Sequence, residues 1–179
     1  MRNRVVTSAR WRSAGTYAAF FVLFLLPFAT LYAACTKERI ETVNGYQTLA
    51  PHTYGYEAAD GSTKLISVGT DGFAWIAIAL VAIGIGLSII GFRTVWLSIV
   101  SVLGVVALFL TATAAGGSHA SSKAEIGFWL TSVAVAVAPA AGVSPWRRAL
   151  VVGAATIAAG ALLVLGLVGL IALIAQKSH

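Results

Sequence analysis

The chain has 179 residues, 59% of them hydrophobic and 10% charged; a soluble domain carries roughly 25% charged residues. With a mean hydropathy of +0.89, this composition excludes a soluble globular domain and a disordered chain, and it points to an integral membrane protein with several spans. The net charge of +6 reflects 12 Lys and Arg against 6 Asp and Glu. The basic residues stand at the ends of apolar segments, not in a groove-reading element, so nucleic acid is not an expected partner.

Residues 1–13 form a basic tail with Arg2, Arg4, Arg10 and Arg12. The stretch 14–34 is apolar throughout and is read as the first transmembrane helix, since a span needs roughly 20 such residues. Pro27 lies inside it and predicts a kink. Residues 35–72 follow as the one sizeable loop outside the membrane. In this loop, residues 39–43 alternate, Asn44-Gly45 is the favoured pair for a type I′ turn, and 46–49 read as the returning strand. Residues 64–68 read as a further strand after a turn at Asp60-Gly61. A small β hairpin or three-stranded cap over the outer helix ends is expected, resting on the bundle or on a partner because a lone hairpin is marginal in water. Tyr46, Tyr54 and Tyr56 make the loop aromatic, either for packing or as an external recognition surface.

Four further apolar stretches read as helices: 73–92, 95–114, 126–143 and 149–175. The turn between the second and third spans is so short that they pair as a tight antiparallel hairpin. Residues 115–125 read as a mobile external turn and 144–148 as a cytoplasmic turn. The fourth span carries Pro139 near its end. The fifth would be about 40 Å long and must tilt or protrude. Small residues line the second span (Gly84, Gly86, Ser88, Gly91) and the fifth (Gly153, Thr156, Gly160, Gly166, Gly169). Such faces serve packing within the bundle, or contact with another membrane protein or a second copy.

Charge sets the orientation. If the spans alternate, Arg2, Arg4, Arg10, Arg12, Arg93, Arg147 and Arg148 share one side, which has no acid. Glu38, Glu41, Glu57, Asp60, Asp71 and Glu125 all fall on the other. The positive-inside rule then makes the N-terminus cytoplasmic and the C-terminus external. Trp11, Trp96 and Trp146 mark the inner interface and Trp75 and Trp129 the outer one, with Tyr17 and Tyr32 bracketing the first span. The fold class is therefore an all-α membrane protein, a five-span helix bundle with a small external β-hairpin-like loop, placed in the cell membrane. The abundance of Ala, Val and Gly points to a bacterial chain.

Little in the sequence points to chemistry. The span interiors hold no Asp, Glu, Lys, Arg or His, which argues against a proton relay or voltage sensor. His52, His119 and His179 fall outside the membrane without the spacing of a metal site, so no metal, cofactor or catalytic residue is expected. The single cysteine, Cys35, excludes an intramolecular disulfide. It follows LYAA at the end of an apolar run, which leaves three readings open: a small interfacial residue, a lipidated residue after signal cleavage, or an intermolecular disulfide. The leading expectation is a non-catalytic accessory, scaffold or sensor subunit that uses its external loop as the contact surface. The alternative is a small transporter or channel subunit that oligomerises to form a pore, lined by Ser98, Ser101, Thr111, Thr113, Thr131 and Ser132.

The segments LPFATLYAAC and ETVNGYQTLA together resemble a pattern in small bacterial multi-pass membrane proteins of no assigned activity. Pro27 and Phe28 would end the first span, Cys35 would follow, and Thr42, Gly45, Tyr46, Gln47 and Leu49 would open the external loop. The resemblance covers about a seventh of the chain. It implies a topology and an external loop, and no activity.

Overall fold

A computed structural model describes residues 2–33, 39–57, 61–68, 72–115, 120–143 and 145–177. Among these the protein is mostly helical. Its helices are α1 (Arg2–Leu23), α2 (Gly72–Ile90), α3 (Thr94–Ala114), α4 (Ile126–Ala141) and α5 (Trp146–Lys177). The strands are β1 (Pro27–Ala33), β2 (Arg39–Asn44), β3 (His52–Glu57), β4 (Thr63–Val68) and β5 (Ala120–Ala124). Three helices are long and apolar enough to cross a membrane: α2, α3 and the Trp146–Leu170 part of α5. They support a membrane protein. Helix α4 is apolar but has 16 residues, about 24 Å of rise.

Helix α1 lies against α2 and α4, and α3 packs against α2, α4 and α5. Tyr17 and Phe20 of α1 and Phe24 just after it are fully buried. Phe20 stacks on Phe24 with centroids 4.7 Å apart, Phe24 meets Phe28 edge-on at 5.2 Å, and Phe28 meets Phe128 of α4 at 5.6 Å. This ring column joins α1, the start of β1 and α4. The outer faces of α2, α3 and α5 instead present exposed Ile, Leu and Val side chains such as Ile83, Leu103 and Leu162, as lipid-facing helices do.

The expected single helix over 14–34 is not formed. Helix α1 ends at Leu23, where Leu25 and Leu26 donate to Val22 and Leu23 carbonyls in tightened turns of 3.1 and 3.0 Å. Pro27 then opens β1, the central strand of an antiparallel sheet ordered β2-β1-β5. Proline disfavours helix in the residue before it and is accepted as the first residue of a strand. The run is apolar because protein buries it: Phe28, Ala29, Thr30 and Leu31 are all buried. A central strand covered on both faces reads as a continuous apolar stretch, just as a span does.

The expected hairpin at Asn44-Gly45 is also replaced. Strand β2 pairs with β1, with Thr30 opposite Thr42 and Leu31 opposite Glu41. Residues Tyr46–Leu49 form a 3-10 turn instead of a returning strand. Asn44 Oδ1 accepts from the Gln47 amide at 2.9 Å, and Gln47 Oε1 accepts from the Asn44 amide at 2.7 Å. This reciprocal pair is the capping-box arrangement. Gly45 has φ −62, outside the left-handed region that a type I′ turn requires. Strand β4 does form over the expected 64–68 region and pairs with β3, from His52 opposite Val68 to Glu57 opposite Thr63. The expected mobile turn at 115–125 contains β5, whose Ala124 to Ala120 lie opposite Ala29 to Ala33 of β1.

Helix α4 approaches β1 closely at Gly127. A Cβ there would sit 2.5 Å from the Pro27 carbonyl oxygen, which is backbone and cannot turn aside. At Gly86 of α2 the same atom would meet nothing within 4 Å. Substituting Gly127→Ala should therefore cost on the order of 1–3 kcal/mol through overpacking. Gly86→Ala should be neutral or stabilise by up to about 1 kcal/mol. Thermal unfolding of both variants in mild detergent checks the contrast.

Candidate functional site

Polar chemistry concentrates at the two ends of the bundle. At the sheet end a hydrogen-bonded chain crosses three elements. Arg39 Nη2 donates to Thr42 Oγ1 at 2.7 Å, the Thr42 and Thr30 hydroxyls are 3.0 Å apart, and Thr30 Oγ1 donates to Glu125 Oε1 at 2.7 Å. Each hydroxyl has one proton, so Thr30, donating to the carboxylate, must accept from Thr42. The chain thus runs in one direction from cation to anion. It ties β2 to β1 and both to the residue preceding α4, whose amide also donates to the Phe28 carbonyl at 3.0 Å. Its three links join separate elements, which makes it a positioning device more than a reactive one.

The sequence-derived site residues are dispersed. Tyr46 is half-buried; its hydroxyl donates to the Phe21 carbonyl at 2.8 Å and its ring meets Phe24 edge-on. It anchors the loop to α1. Tyr54 and Tyr56 lie in β3, opposite Ile66 and Lys64. Cys35, His119 and His179 lie outside the described residues. The His52 ring meets the Ala50 carbonyl at 2.8 Å. Among the described residues, no three His, Cys, Asp or Glu side chains gather as a metal site.

At the opposite end, Ser13 of α1 donates to the Ala138 carbonyl of α4 at 2.8 Å and lies 3.1 Å from the Ser88 hydroxyl of α2. Ser88 donates back to Gly84 at 2.7 Å. One turn deeper, the Tyr17 hydroxyl donates to the Leu97 carbonyl at 2.9 Å and lies 2.6 Å from Ser101. Tyr17, expected at the membrane interface, is wholly buried, and Gly84 leaves room for its ring. These bonds lock α1 to α3 and α4, with the Ser13 and Ser88 hydroxyls in contact between α1 and α2. The small-residue faces divide likewise: Gly153 faces Ala140 and Gly160 faces Val105, whereas Gly166 and Gly169 face nothing within 4 Å.

Four of the hydroxyls considered as a pore lining, Ser101, Thr111, Thr131 and Ser132, are held inside the protein, whereas Ser98 is half-buried and Thr113 exposed. Ser101, Thr111 and Thr131 are completely buried. Thr111 donates to the Ala107 carbonyl at 3.0 Å and Thr131 to the Gly127 carbonyl at 2.5 Å. Thr156 donates to Ser98 at 3.3 Å, joining α5 to α3. Ser132 Oγ is the buried side-chain polar atom among the described residues that lacks a partner.

A depression of about 330 Å³ opens beside the Ser13–Ser88 pair, bounded by Arg10, Gly91, Thr94 and Gly142. Thr94 also borders a recess holding Arg147 and Arg148, and an apolar groove of about 560 Å³ between α3 and α5. Sequence reasoning found these arginines as orientation signals and missed their convergence, which depends on how the α2–α3 turn meets the starts of α1 and α5. Comparison with known proteins yields no match to a family model, a curated protein or a solved structure.

Replacing Thr30 by Val keeps the shape and removes the link. The half-buried Thr42 and Glu125 then lose their partner, at a cost of about 1 kcal/mol. Thermal unfolding should show this loss for Thr30→Val and a smaller one for the exposed Thr113→Val, with the two additive in the double variant.

Proposed function

We propose that the protein is a non-catalytic subunit of a membrane assembly that crosses the membrane five times and presents its sheet end to a partner on the outer face. The N-terminus is cytoplasmic and the C-terminus external. Helix α4, the shortest at 16 residues, and α1, which ends at Leu23, cross within the bundle, and the sheet completes the depth that α1 leaves open. The segregation of seven Arg at one end from all six acids supports this orientation.

The observation that carries the partner reading is the β3–β4 hairpin. It forms a separate two-stranded sheet, unpaired with β2-β1-β5, and carries Leu65 at 72% exposure. Two strands alone are marginal in water, and an apolar side chain held outward at the water-facing end suits a complementary protein surface.

Native mass spectrometry of the full chain, extracted from its own membrane with a C-terminal tag, tests the proposal. The expected result is a complex of this chain with another polypeptide, which Leu65→Asp dissociates while helical content is unchanged. A lone chain or homo-oligomer, together with solute flux in liposomes, would replace this reading by a pore subunit.

A further inference from the structure

Among the described residues, Arg10 and Thr94 offer donors that no protein group accepts. Arg10 projects from α1 across the end of α2, and its guanidinium lies over Gly91. Gly91 has φ +83, a left-handed conformation that closes α2: its amide donates to Leu87 at 3.0 Å, and the Phe92 amide donates to the same carbonyl at 2.9 Å. Glycine satisfies that backbone and leaves the space the guanidinium occupies. Neither the Arg10 guanidinium nor the Thr94 hydroxyl has a protein hydrogen-bond or ion-pair partner among the described residues, and both border the 330 Å³ depression. No acid of the chain lies on this side in sequence.

Three recesses meet at Thr94. One holds Arg10 together with the Ser13 and Ser88 hydroxyls. The second, of about 510 Å³, holds Arg147 and Arg148. The third is the groove between α3 and α5, walled almost wholly by apolar side chains including Val102, Leu103 and Ala155. Exposed Trp11, Trp96 and Trp146 flank the same end, and indole rings settle at the headgroup level of a bilayer. A cationic, donor-rich cavity at headgroup depth, continuous with an apolar groove of membrane depth, has the two-part chemistry of a phospholipid.

We propose that this end of the bundle binds one anionic phospholipid, its phosphate held by Arg10 and Thr94 with Arg147 and Arg148 beside it, and an acyl chain lying in the α3–α5 groove. The guanidinium fork matches two phosphate oxygens. The groove is what selects a lipid over a free phosphate.

The test uses the full chain purified in mild detergent, exchanged with phosphatidylglycerol or phosphatidylcholine, and native mass spectrometry of the retained lipid. Wild type should retain one phosphatidylglycerol in preference to phosphatidylcholine. Arg10→Gln should lower that retention roughly tenfold, the scale of a lost charge-assisted hydrogen bond. Arg12→Gln removes the same charge from the same helix outside the cavity and should change it by less than about twofold. Ala155→Trp, at an exposed position of α5, fills the groove and should also displace the lipid while the helical circular dichroism stays the same. Equal losses in Arg10→Gln and Arg12→Gln would overturn the site in favour of diffuse attraction to the basic end. Equal retention of the two lipids would overturn the phosphate assignment. Displacement of lipid by inorganic phosphate at matched ionic strength, with Ala155→Trp unaffected, would overturn the lipid in favour of a soluble phosphate ligand.

Discussion

The placement of α1 inside the bundle governs the rest of the architecture. Its aromatic side chains need an apolar environment, and α2, α3 and α4 supply it. Tyr17 alone makes the burial conditional on hydrogen bonds, since a wholly buried phenol without partners would be costly. Its bonds to Leu97 and Ser101 meet that condition and fix α1 against α3. From this anchor the column Phe20, Phe24, Phe28 carries the chain out of the helix and into the sheet, so that β1 emerges already seated on Phe128 of α4. The sheet is thus an extension of the helical core, with the same residues serving both.

The helices that face lipid were the legible part of the fold. For α2, α3 and α5 one requirement dominates, an unbroken apolar run of sufficient length, and hydropathy reports it directly. The stretch 14–34 satisfies the same requirement for another reason. Hydropathy cannot separate a run buried in lipid from one buried in protein, and Pro27 was read as a kink where it begins a strand. At Asn44 the sequence held two signals, the Asn-Gly pair and Gln47 three residues after Asn44. The turn follows the second because β2 already has a partner in β1. Strand β5, Ala-Ser-Ser-Lys-Ala, has no alternation to read; it is a strand because β1 has a free edge beside it.

The candidate sites were less legible still. Tyr46 stands out in the sequence only as one of three loop aromatics, and its place against Phe21 and Phe24 comes from the fold. The Arg39–Thr42–Thr30–Glu125 chain joins residues up to 95 positions apart, and no local pattern announces it. The arginines at the other end were visible as charges and invisible as a cluster. The two ends therefore differ in kind. At the sheet end Arg39 and Glu125 are linked through Thr42 and Thr30, and at the other end the guanidinium of Arg10 is left to meet what lies outside.

The pairing of β1 with both β2 and β5 has a consequence for synthesis. Strand β2 follows β1 almost at once, so one edge of β1 can be covered as soon as the chain emerges. The other edge is complementary to residues 120–124, which are made only after α2 and α3. Until then the central strand of the sheet has one open side, and the first helix has neither α3 nor α4 to bury its rings. Non-local pairing of this kind slows folding because the intervening chain must be closed first. The segment holding α1 and β1, made before α2 and α3, therefore reaches its final packing only after the segments that follow it.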